Sequence, residues 1–167
     1  VWHTEESLWR DVTVKSPKNG RGLMNYGLIF MARGDYQGAL DYFQRALPLT
    51  PNYSALEINL GVALGSLHRD QEAGQHFERA MQLAPNDADS YFFAARWLAG
   101  VGRVADSVSL LERALQINRL SFRCRDLLME GYAWLGDWAK LGPLAQETLQ
   151  LSPGDETAKK LLAHPVV

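Results

Sequence analysis

Four histidines (His3, His68, His76 and His164) and a single cysteine, Cys124, are the side chains of this 167-residue chain best suited to holding a metal or attacking an electrophile. A zinc site needs three or four such ligands converging at short, paired spacings. These residues are scattered, no pair stands at ligand spacing with carboxylates beside it, and one cysteine can build neither an internal disulfide nor a thiolate cluster. The expectation is no metal and no cofactor. Asp87 and Asp89 could pose as a general acid and base, but ahead of an apolar run they read better as acids at the positive end of a helix dipole. A rival enzymatic reading would use the Arg, Asp and Glu side chains Asp89, Arg96, Arg123, Asp126 and Glu130 as an acid/base site. No phosphate-binding glycine loop, nucleophile elbow or Cys/His dyad accompanies them, so the chain is expected not to be an enzyme.

The bulk numbers agree with a folded binding module. Hydrophobic residues make up 47% and charged residues 22%, enough to bury a continuous core. Seventeen basic and nineteen acidic side chains give a formal charge of −2, which provides no cationic field for a polyphosphate and excludes nucleic acid as the expected partner. No apolar run approaches the ~20 residues that span a bilayer, so no direct membrane insertion by this segment is expected. The leading Val1 suggests a segment of something longer, and Asn52-Tyr53-Ser54 fits a glycosylation acceptor.

Whatever binds must be positioned by a repeat. Prolines stand at Pro17, Pro51, Pro85 and Pro153, at gaps of 34, 34 and twice 34, with Arg119 in the register where proline is missing. Gly27, Gly61 and Ala95 share a second register, continued by Met129. Ala39, Ala73 and Ser107 share a third, Phe43, Phe77 and Leu111 a fourth, and Ala46, Ala80 and Ala114 a fifth. This is the period of the tetratricopeptide repeat. Small residues let two helices cross closely, and the Phe/Leu register fills the space between hairpins. Proline stops the second helix, while Gly34, Gly102 and Gly136 close the first.

The expected fold is an all-α, right-handed α-solenoid of helix-turn-helix repeats at 20–53, 54–87, 88–121 and 122–155. In the fourth repeat Met129, Leu141 and Thr148 replace small residues. Residues 1–19 would supply the second helix of an incomplete leading repeat, from Glu5 to Lys15. Residues 156–167 would supply a capping helix, Glu156 to Ala163, and a tail. Tyr26, Tyr91, Trp97 and Tyr132 fall on inward-packing registers, and Tyr36 and Trp138 follow the turns.

The first helix of each repeat lines the concave side of such an array, where a protein or extended peptide would bind. The expected stripe holds Arg21, Asn25 and Leu28, then Ile58, Asn59 and Val62, then Asp89, Phe92, Phe93 and Arg96, and finally Arg123, Asp126 and Glu130. The candidate peptide-binding residues are Arg21, Asn25, Leu28, Asn59, Val62, Asp89, Phe93 and Arg96. Asn25 and Asn59 lie 34 apart, and an amide can pair with peptide backbone of any sequence. The pair resembles the asparagine ladder in the repeat domain of O-linked N-acetylglucosamine transferase. Arg21, Asn25 and Asn59 also match part of the carboxylate clamp of chaperone-binding repeat proteins. Asp89 and Phe93 stand where that clamp needs cations, so a carboxylate tail is not the expected ligand. Self-association through an end or an apolar face is the alternative.

The leading segment resembles a more specific group. Trp2, Glu6, Leu8-Trp9, Lys15-Ser16-Pro17-Lys18-Asn19 and Arg21, running into Asn25-Tyr26-Gly27, are similar to the junction between membrane helices and repeats in the transmembrane and tetratricopeptide-repeat mannosyltransferases and their bacterial relatives. Gly20, Gly22 and Met24 depart from the Ala-rich helix start usual there. The resemblance implies the soluble tail of a membrane enzyme on the extracytoplasmic side, with the transferase chemistry elsewhere. From the residues alone the compartment stays open.

Overall fold

The computed structural model describes residues 4–163. Among them are ten α-helices: α1 Glu5–Lys15, α2 Gly20–Ala32, α3 Tyr36–Ala46, α4 Ser54–Ser66, α5 Asp70–Leu83, α6 Ala88–Gly100, α7 Val104–Ile117, α8 Phe122–Leu135, α9 Trp138–Leu151 and α10 Glu156–Ala163. Trp2, His3 and His164 lie outside the described residues. The helices fall into two compact units, one ending at Pro85 and the other beginning at Asn86.

Local chemistry sets the helix ends. Thr4 and Ser7 form a reciprocal cap on α1, with Ser7 N–H donating to Thr4 Oγ1 at 3.1 Å. Asn19, Asp35 and Asp137 each accept a hydrogen bond from a first-turn amide of α2, α3 and α9. The turns after α2, α6 and α8 pass through left-handed glycines, Gly34 (φ 77°), Gly102 (82°) and Gly136 (72°). In the turn after α4, the second of that register, His68 adopts φ 58° with a full side chain. Pro48 ends α3 early: lacking an N–H, it cannot bond to the Gln44 carbonyl, and Leu47–Leu49 tighten into a 3-10 turn.

In the N-terminal unit the small residues meet aromatic rings. A Cβ at Gly27 would lie 2.6 Å from Phe43 Cε1, and one at Gly61 would lie 2.8 Å from Phe77 Cε1. Both rings are fully buried, each stabilising by about 1.5–3 kcal/mol relative to exposure. Tyr26, Phe30 and Tyr42 pack ring to ring with centroids 4.8–5.3 Å apart. Helix α1 closes this unit over α2, where Val12 sits against Gly22 and Arg33 pairs bidentately with Glu6 at 3.0 and 2.5 Å.

In the C-terminal unit Ala95, Leu111, Met129, Leu141 and Ala145 form the core, and Ala158, Leu161 and Leu162 of α10 pack onto it. Met129 and Leu141 take positions held by small residues elsewhere, and α8 and α9 consequently meet over less of their length than α2 and α3 or α4 and α5 do. Close approach is instead made at Gly131, where a Cβ would stand 2.6 Å from Val108 Cγ2. Tyr26 and Tyr132 are buried, whereas Tyr36, Tyr91, Trp97 and Trp138 are half-buried.

Candidate functional site

Helices α2 and α4 carry the N-terminal part of the expected surface. Asn25 and Asn59 are half-buried in matching registers, and neither side-chain amide hydrogen-bonds to another described residue. Leu28 and Val62 beside them are also half-buried. Arg21 is exposed, with its guanidinium 5.6 Å from the Tyr53 ring centroid. Ile58 corrects the expectation. It is 6% exposed, because the apolar residues of α4 are spread around the helix and not confined to one stripe, and neighbouring helices cover most of them.

The C-terminal part, on α6 and α8, is mutually occupied. Asp89, in the first turn of α6, pairs with Arg123 of α8, and the same guanidinium lies over Phe92 at 4.6 Å and over Phe93 at 5.6 Å. Arg96 caps the Phe93 ring at 5.1 Å. Phe92, expected in the exposed stripe, is buried in the core of this unit, so only the half-buried Phe93 remains available. Asp126 differs from its neighbours. Its Oδ1 is buried without a hydrogen-bond partner, and burial, the charges of Asp155 and Glu130, and a hydrogen bond with Asp155 push its carboxyl above the usual aspartate range. Among the described residues no three His, Cys, Asp or Glu side chains gather as metal ligands, and burial raises the Cys124 thiol.

Three polar clusters escape a reading by residue type. Glu57 is 5% exposed and meets His76 Nδ1 at 2.6 Å. Arg125 is 2% exposed, donates twice to the Arg119 carbonyl at 2.9 and 2.7 Å, and pairs with Glu147 at 2.9 Å. Glu112 then accepts from both Tyr132 and Lys140 at 2.8 Å. The bond from Lys140 holds the Glu112 carboxyl low, while burial followed by Glu112 drives the Tyr132 phenol up. Register was the only available signal for these groups, because Glu57 and Arg125 share one whose other members are Leu23 and Tyr91.

Comparisons with known proteins place this geometry. A tetratricopeptide-repeat family model matches residues 6–54. The photosystem I assembly protein Ycf3 of Acaryochloris marina is 34% identical over 96 residues, 49% of this chain and 56% of that protein. The peroxisomal targeting signal receptor of Candida glabrata is 30% identical over 92 residues, 55% of this chain and 16% of the receptor. The protein O-mannosyl-transferase Tmtc3 of Drosophila melanogaster is 26% identical over 144 residues, 81% of this chain and 16% of the transferase. The chain thus spans about half of the first relative and a sixth of the other two. PilW, a type IV pilus biogenesis factor, superposes with a TM-score of 0.84 at 18% identity, covering 95% of this chain and 73% of that one. The fold class is all-α, a solenoid of helix-turn-helix repeats.

Proposed function

Because the chain is a tetratricopeptide-repeat protein, we propose that it binds a protein or an extended peptide, without chemistry of its own, on the exposed face of its first helices. The carrying observation is the pair Asn25 and Asn59: two amides one repeat apart, half-exposed and without a partner among the described residues. An amide offers both a donor and an acceptor, so the pair suits the backbone of an extended segment of any sequence, with Leu28 and Val62 providing apolar contact. In the other unit Asp89, Phe93, Arg96 and Arg123 already satisfy one another. A relative whose name is that of a targeting-signal receptor supports this reading.

The domain serves a larger membrane protein of the mannosyltransferase type. The leading motif and the 144-residue match to Tmtc3 support that assignment, and among the described residues no helix is long and apolar enough to cross a membrane. A second reading, self-association, draws on Trp134 and Leu120, which stand 70% and 65% exposed.

The test is capture on immobilised domain from soluble and membrane fractions, with wild type beside Asn25→Ala/Asn59→Ala and far-UV circular dichroism confirming equal fold. Partners retained by wild type and lost by the double variant support backbone recognition. Equal retention refutes it, and a molecular mass that rises with concentration, with no partner captured, favours self-association.

A further inference from the structure

The C-terminal unit holds a groove of 650 Å³ across α7, α8 and α9, floored by Leu115, Leu128, Pro143 and Leu144. It is not the face described above. At 100° per residue Arg125 and Leu128 of α8 point away from Arg123, Asp126 and Glu130.

Its polar lining comes from departures from the repeat. Arg119 stands where the other repeats place Pro17, Pro51, Pro85 and Pro153. Arg125 stands in the register of Leu23, Glu57 and Tyr91, and Lys140 in that of Gly38, Glu72 and Asp106. Pro143 shares its register with Asp41, Gln75 and Ser109. Three new cations and a helix-breaking residue, spread along the chain, therefore line one groove. Repeat packing needs none of them, since the other repeats close without them.

The groups are held in place. Arg125 is buried and its two bonds to the Arg119 carbonyl fix the backbone there. Pro143 leaves the Ala139 carbonyl without its helical donor, and both residues line the groove. Glu147 pairs with Arg125 and also feels the charge of Arg119, while Glu112 pairs with Lys140; the exposed Arg119 guanidinium itself makes no hydrogen bond or close ion pair among the described residues. The groove thus presents an apolar floor and one cation without a close ion pair.

We propose that this groove seats a short acidic-apolar segment of a protein partner, its apolar side chains on Leu115, Pro143 and Leu144 and a carboxylate on Arg119. Charge complementarity selects the occupant: the lining carries three cations against two carboxylates on a chain of formal charge −2.

The test uses the whole chain and a fluorescein-labelled octapeptide alternating leucine and aspartate, read by fluorescence polarisation. The wild type should bind saturably and more weakly as salt rises. Arg119→Glu should weaken binding by about tenfold or more with an unchanged circular dichroism spectrum, and a peptide with asparagine for aspartate should be similarly weak. Asn25→Ala/Asn59→Ala should bind as wild type, so failure of this proposal and failure of the first-helix reading are distinguishable. Equal affinity for the asparagine peptide, indifference to Arg119→Glu, absence of saturable binding, or a dimer abolished by Arg119→Glu with no peptide bound would each overturn it.

Discussion

Replacing His68 with glycine should stabilise the protein, and the argument can be made quantitative. Gly34, Gly102 and Gly136 occupy the left-handed turn at φ 72–82°, and His68 is held at 58° in the same register. A residue with a Cβ loses about 1–2 kcal/mol there. Glycine returns about 0.4–1 kcal/mol of that through the greater freedom of the unfolded chain. His68 is exposed, so its removal sacrifices little packing. The net gain is roughly 0.5–1 kcal/mol, or about 1–4 °C in Tm for a chain of this length. Gly102→Ala should show the opposite sign and similar size, because nothing lies within 4 Å of a Cβ there and strain alone acts. Denaturant unfolding followed by circular dichroism measures both. A His68→Gly variant less stable than wild type, or a Gly102→Ala variant more stable, would refute the reasoning.

Gly27→Ala should destabilise by about 1–3 kcal/mol, because its methyl would meet the buried Phe43 ring at 2.6 Å, and the urea midpoint should fall accordingly. The raised Asp126 carboxyl contributes stability in its protonated form, fully present below the ordinary aspartate pKa and lost as pH rises through the raised value. Asp126→Asn should therefore raise Tm at pH 7 and flatten its dependence on pH across that window; an unaltered profile would contradict the assignment.

Much of the fold was legible because repeat packing fixes residue size at fixed registers. Gly27 on Phe43 and Gly61 on Phe77 are the contacts that the small and aromatic registers require, and the turn glycines take the left-handed conformation that their place between helices demands. Burial of Ile58 and Phe92 was not legible. Helical spacing defines a stripe, but how far neighbouring helices wrap around it depends on packing that spacing does not encode. Arg125 was hidden for a related reason: its burial depends on the Arg119 carbonyl and Glu147, reached only after folding. Pro48, three residues ahead of the repeat proline that sets the period, shortened α3 because it has no N–H for the Gln44 carbonyl.

The most direct test of the central reading follows the side-chain amide resonances of Asn25 and Asn59 in the 15N-labelled chain during titration with a peptide selected from a random, unstructured library. The account predicts that both pairs shift together along one saturation curve and that Asn25→Ala/Asn59→Ala weakens the same peptide by about tenfold. Saturable binding with both amide pairs unmoved would contradict it.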